Sequence, residues 1–168
     1  RAVKLMTLAA APAASQPEYA GEVRAEVESR LGFRVAGKII ERAVEPGQHV
    51  KKGQLLARLD ARDYQLAADA ARAQTAAAQA QRDLAATDLE RFSALRDKGF
   101  ISSAELDRRA TALQSAESAL KQARAQLAAQ GNQAGYTHLL ADADGVITSV
   151  DAEAGQVVAA GWHSMVLE

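Results

Sequence analysis

Residues 37–60 read GKIIERAVEPGQHVKKGQLLARLD, and residues 145–168 read GVITSVDAEAGQVVAAGWHSMVLE. Laid over each other without a gap, at an offset of 108, they share Gly37/Gly145, Ile39/Ile147, Glu45/Glu153, Gly47/Gly155, Gln48/Gln156, Val50/Val158, Gly53/Gly161 and Leu59/Leu167. Eight identities in 24 positions, with three glycines spaced 10 and 6 apart in both copies, mark an internal repeat. Each copy reads as short strands joined by glycine turns. The EPGQ turn at 45–48 supplies a proline that fixes φ and a glycine that permits φ > 0. A half of this size is too small to hold a core alone, so the two halves are expected to fold together as one β-sandwich.

Between the halves the composition changes. Alanine dominates residues 61–130, and aromatics are only 4% of the chain, which argues against a thick core and for closely packed helices. Asp60 can cap a first helix, with Asp63 three residues on. Leu66, Ala70, Ala73, Ala77, Ala80 and Leu84 follow the alternating spacing of a coiled-coil seam. Arg96 and Lys98 suit the negative end of the helix dipole, and Gly99 suits the residue after the cap. Such a helix of about 35 residues spans roughly 50 Å. Ser102 and Glu105 form a capping-box pattern for a second helix. Its leucines at 106, 113, 120 and 127 repeat every seven residues, with Ala116 and Ala123 between them, and it is expected to end near Gly131. One heptad seam facing another predicts an antiparallel coiled-coil hairpin with its tip far from the β base.

Other functions are argued against by what the chain is made of. Its 20 basic and 21 acidic residues are intermixed, leaving a net charge of −1 and no basic stripe to neutralise phosphates, so nucleic acid is not an expected partner. Cysteine is absent, and no apolar stretch reaches the ~20 residues that cross a bilayer. His49, His138 and His163 are too far apart to suggest a metal site. Asp142 and Asp144 are best explained by the turn beside Gly145. No nucleophile–base set or phosphate-cradling loop is present, so no catalytic, cofactor-binding or metal-ligating residue is assigned and no cofactor is expected. A start at Arg1 and an end in an apolar run read as a piece of a longer protein. Within residues 1–36, LAAAPAASQP (8–17) reads as a loop. One strand is expected to reach Arg30 and another to start at Phe33.

A two-half sandwich with helices inserted between its halves resembles the lipoyl-like (barrel-sandwich hybrid) domain of periplasmic adaptor proteins. These are the membrane fusion proteins of the HlyD family, and the style is that of adaptors in RND-type tripartite efflux pumps. RLGFRVAGKI (30–39), VEPGQHVKKGQLLARLD (44–60), YTHLLADADGVITSVDAEAGQVVAAG (136–161) and the hairpin carry the likeness, which covers residues ~20 to 168. The resemblance implies an α+β chain. Residues 1–31 would lead in from a β-barrel domain largely outside it, 32–60 and 132–168 would be the two sandwich halves, and 61–131 would be the hairpin with its tip near 97–102. It also implies a function without catalysis, that of a bridge from an inner-membrane transporter to a TolC-type outer-membrane channel. The adaptor would sit in the periplasm, attached to the inner membrane by a segment outside this chain, with several copies forming a ring. Adaptors that dock onto such channels carry Arg, Leu and Ser at relative positions 0, +4 and +11 around the tip. Arg91, Leu95 and Ser102 match, which makes them the channel-docking residues by resemblance.

Two departures stand out. The run Ala141-Asp142-Ala143-Asp144-Gly145 lacks the proline usual there, and Trp162 and His163 replace small apolar residues, either exposed or packed on the absent barrel. Two other functions compete with the RND reading. An adaptor of an ABC or major-facilitator exporter, or of a type I secretion system, would share the fold. A lipoyl or biotinyl carrier would need a lysine at the corner between the halves. That corner reads LDARDY (59–64), and Lys51 and Lys52 lie elsewhere in the repeat.

Overall fold

The computed structural model describes residues 1–6, 19–22 and 25–168. The expected loop at 8–17 lies outside the described residues. Eight strands and two helices follow in the order β1 (Ser29–Gly32), β2 (Gly37–Arg42), β3 (His49–Val50), β4 (Leu55–Leu59), α1 (Arg62–Asp97), α2 (Ser103–Gly135), β5 (His138–Leu140), β6 (Gly145–Val150), β7 (Val157–Val158) and β8 (His163–Leu167). Phe33 sits in the link between β1 and β2, so the second strand begins at Gly37 and not at Phe33.

The strands form two four-stranded antiparallel sheets, ordered β1-β8-β6-β3 and β5-β4-β2-β7. Each sheet takes two strands from either side of the helices, so the halves interlace. The offset of 108 carries β2 onto β6, β3 onto β7 and β4 onto β8 residue for residue. It also carries the turn chemistry. In the first copy the Glu45 N–H donates to Gln48 Oε1 at 3.1 Å. In the second the Glu153 N–H donates to Gln156 Oε1 at 3.2 Å. Gly47 and Gly155, in the left-handed region at φ 85 and 95, close the two turns.

The core between the sheets is aliphatic with one aromatic ring. Phe33, Ile39, Leu56, Leu59, Ile147 and Met165 are buried almost completely. Trp162 packs against this core at partial exposure, so it belongs to the sandwich, whereas His163 beside it is exposed. Two buried hydroxyls find carbonyl partners. Ser164 Oγ donates to Leu31 O at 3.3 Å and Thr137 Oγ1 donates to Ala134 O at 2.6 Å.

The helices run antiparallel, fixed by bonds that cross between them. Thr75 Oγ1 donates to the carbonyls of Ala71 and Ala123, and Arg124 Nη2 donates to Gln79 Oε1 at 2.7 Å. The α2 seam lies where the leucine heptad put it, with Ala116, Leu120 and Ala123 buried. The α1 seam does not. Tyr64, Ala68, Ala71, Thr75, Ala78, Arg82, Ala85, Leu89 and Phe92 form the buried or half-buried stripe, in unbroken steps of four and three. Leu66, Ala70, Ala73, Ala77, Ala80 and Leu84 are all exposed, Leu66 at 67% and Leu84 at 56%. Alanine occupies both faces of α1, so its spacing alone could not choose between them.

Three details of the helix ends also differ from expectation. The cap position of α1 is Ala61. Asp60, one residue earlier, accepts the Arg62 N–H at 3.2 Å, so its carboxylate still satisfies a first-turn donor. Glu105 completes only half of a capping box, because its carboxylate goes to Arg109 and Arg108. Finally α2 continues through Gly131 to Gly135. Gly131 has no positive φ, and the helix gives way only where Thr137 enters the sheet.

Candidate functional site at the helical tip

The link between α1 and α2 is short and closely bonded. Lys98 caps α1 and Gly99 follows at φ 78. The Gly99 N–H donates to Arg96 O at 2.8 Å and the Phe100 N–H donates to Leu95 O at 3.0 Å. This pair of bonds is a Schellman motif, which satisfies two helix-end carbonyls and needs the left-handed glycine. On the other side Ser102, in extended conformation, accepts the Glu105 N–H on Oγ at 3.3 Å and so caps α2.

The three residues singled out by resemblance lie on both sides of this turn. Arg91 is exposed and one helical turn from Leu95, so both are on one side of α1. The Arg91 guanidinium has one ion-pair partner among the described residues, Asp88 at 3.8 Å. Exposed pairs of this kind contribute about 0–1 kcal/mol, so Arg91 is held only weakly. Leu95 is half-buried and lends its carbonyl to the turn. Ser102 is exposed and occupied as a cap. The chain thus gathers all three at one end of the helix pair. With 36 residues in α1, that end stands about 54 Å along the helix from its root.

Sequence reading missed the residues that stiffen this end. Glu105 Oε1 accepts from Arg109 Nε at 3.0 Å and Nη2 at 2.8 Å. The Arg109 guanidinium lies over the Phe92 ring, 4.2 Å from its centroid, and bridges the helices. The pairing shows only once Phe92 is placed on the buried face of α1. Two tyrosines root the helices. Tyr64 Oη donates to Ala36 O at 2.7 Å, and Arg34 stacks over Tyr136 at 3.9 Å. Beside them Arg62 grips Asp60 with two parallel bonds, Nε to Oδ1 at 3.0 Å and Nη2 to Oδ2 at 2.5 Å. The Arg62 side chain, then its backbone N–H, hold the Asp60 carboxyl down at about 2.

The paired aspartates singled out in the sequence have partners within the sandwich. Among the described residues no three His, Asp or Glu side chains cluster to hold a metal. Asp144 accepts the Lys52 N–H at 2.7 Å, and Asp142 accepts from Ser29 Oγ at 2.5 Å, so each serves the sandwich. Lys51 and Lys52 lie between β3 and β4, and α1 and α2 stand between β4 and β5. Among the described residues no helix is long and apolar enough to cross a membrane.

Two interlaced half-sandwiches with a long helical pair between them define a β-sandwich domain that carries a helical arm. The family model for the barrel-sandwich hybrid domain of RND membrane fusion proteins matches residues 24–167. The chain therefore belongs to the RND membrane fusion proteins, within that domain. It is 33% identical over 151 residues to the multidrug resistance protein MdtA of Pectobacterium atrosepticum, covering 88% of this chain and 37% of that protein. It thus spans little more than a third of the length of that curated relative. Among solved structures, it is similar to a MacA–MexA chimeric protein containing the Pseudomonas aeruginosa MexA α-hairpin domain. Identity there is 26%, the TM-score 0.54, and coverage 84% of this chain and 47% of that one. Similarity to MacA from Actinobacillus actinomycetemcomitans is of the same order, at 26% identity and a TM-score of 0.56, over 83% and 48% of the two chains.

Proposed function

We propose that this chain is the central part of a periplasmic adaptor that links an inner-membrane RND transporter to a TolC-type outer-membrane channel for multidrug efflux. In this reading α1 and α2 are an antiparallel coiled-coil hairpin whose tip docks on the channel through Arg91, Leu95 and Ser102. Residues 1–31 lead in from a neighbouring β-domain, and several copies stand side by side as a ring. The protein is anchored to the inner membrane by a segment outside these residues. The chain supplies reach and contact, while the transporter supplies the energy.

One observation carries the proposal: Arg91, Leu95 and Ser102 lie together at the end of the helices, away from the sandwich. The chemistry there suits a protein partner. Arg91 offers a fork of donors with one weak internal partner, and Leu95 and Ser102 add an apolar and a hydroxyl surface. The family match supports the adaptor role, and the name of the relatives, multidrug resistance protein, supports drugs as cargo.

The test uses the full-length protein in its own cell. Arg91→Asp and Ser102→Arg should each abolish efflux-dependent drug resistance while the protein remains at normal levels. Full resistance in both variants would sink the docking assignment.

A further inference from the structure

The turn at Gly99 leaves one large apolar side chain uncovered. Where a helix ends in this pair of backbone bonds, the second residue beyond the cap commonly packs on the side chains of the last turn. Here that residue is Phe100, and it is 73% exposed. Its backbone is nevertheless fixed, since its N–H is bonded to Leu95 O beside the Gly99–Arg96 bond. The ring is exposed on a formed turn.

A single exposed apolar residue is ordinary on a protein surface. Two facts distinguish this one. From Arg96 to Ser103 its neighbours are charged, small or hydroxylic, apart from the half-buried Ile101. And the ground beneath it is braced, by the Ser102 cap and by Glu105 holding Arg109 over Phe92. An aromatic side chain on a bonded backbone, surrounded by polar groups, matches the make-up of binding hot spots. A braced turn also loses little freedom on binding.

We infer that Phe100 is the apolar anchor of the tip and enters an apolar slot on the outer-membrane channel, with Arg91 and Ser102 forming a polar rim around it. The inference rests on the docking role proposed above. The sandwich of the same chain cannot cover Phe100, because α1 holds the turn about 54 Å from its root. A second copy packed along the helix flanks would cover Leu66 and Leu84, which lie on the outer face of α1.

The test places p-benzoylphenylalanine at 94, 100 or 103 of the full-length protein, in cells that carry its channel, and identifies what each photocrosslinks. The substitution at 100 keeps an aromatic ring, so it should crosslink to the channel and retain resistance. Phe100→Ser should lower the resistance at least about fourfold and weaken the channel crosslink from 103, with protein level and helicity unchanged. Phe100→Trp should restore both. Crosslinks to the channel from 94 or 103 but none from 100 would overturn the anchor and leave the docking role standing. So would capture of another copy by position 100, or full resistance with Phe100→Ser. Absence of channel crosslinks from all three positions would remove the docking role and the anchor together.

Discussion

Gly155 donates its backbone N–H to the carbonyl of Ile39 across 2.7 Å, and Gly47 makes the same bond to Ile147 across 2.6 Å. Each turn of one repeat is tied to the first long strand of the other. Ile39 and Ile147 are fully buried, so the two positions are equivalent in environment as well as in sequence. Ile39→Ala and Ile147→Ala should therefore destabilise the chain by similar amounts, each about 2–5 kcal/mol. Urea unfolding of the two variants side by side measures this, and a several-fold disparity between them would deny the equivalence.

The face of α1 that meets α2 can be tested by adding volume. Ala71 is buried and Ala73, two residues on, is exposed. Ala71→Leu should overpack the seam and cost about 1–3 kcal/mol, whereas Ala73→Leu should leave thermal unfolding nearly unchanged. The reverse order would put the seam on the face that the alanine spacing first suggested.

Two glycines should respond in opposite directions. A Cβ on Gly32 would lie 2.4 Å from the Trp162 carbonyl oxygen, a backbone atom that cannot swing away. Gly131 lies within α2 with open space around it and no positive φ. Gly32→Ala should lower the melting temperature. Gly131→Ala should raise stability by about 0.5–1 kcal/mol through helix propensity.

Ser102 is both a cap and a proposed contact, and the two roles separate by substitution. Aspartate caps as well as serine, whereas alanine at a cap costs about 1 kcal/mol. Ser102→Asp should keep the helix content and unfolding midpoint of the parent. If the hydroxyl also meets the channel, this variant should still lose drug resistance. Full resistance in Ser102→Asp would reduce Ser102 to a cap.

The Asp60–Arg62 pair sets an acid limit. Its carboxyl is held at about 2, below the ordinary value of 3.8. A lowered native value means that ionised Asp60 favours the fold at every pH above the ordinary value. That contribution declines as pH falls from about 4 through 2. Asp60→Asn should remove this part of the acid dependence and leave a flatter stability profile between pH 4 and 2, read by thermal melts at stepped pH.

Much of the architecture was legible because a repeat is hard to disguise. Three glycines at matched spacing located the turns, and the offset of 108 holds for the strands and their turn bonds. The leucine heptad of α2 was legible for the same reason, since one residue type marked one face. On α1 alanine covered both faces, and Leu66 and Leu84 drew the seam to the wrong one. The true seam includes Arg82, half-buried and 3.7 Å from Glu117. A charged residue reads as solvent-facing until its partner across the helix pair is known. Within the tip, Ser102 and Gly99 were legible as local signals. The Phe92–Arg109 stack was not, because it joins side chains 17 positions apart that only the register of the two helices brings together.

The interlacing of the halves orders events on the ribosome. When residues 1–60 have been made, β1, β3, β2 and β4 exist without the strands that complete either sheet. The helices come next, and their own backbone bonds and the contacts nearest the turn are local along the chain, the kind that form fastest. Arg58 and His138 pair between β4 and β5 and would otherwise be separated by a long flexible loop. A zipped helix pair would hold them close together, and so remove most of the entropy of that closure. A zipped arm would thus act as a splint during the birth of the molecule, drawing the second half onto the first.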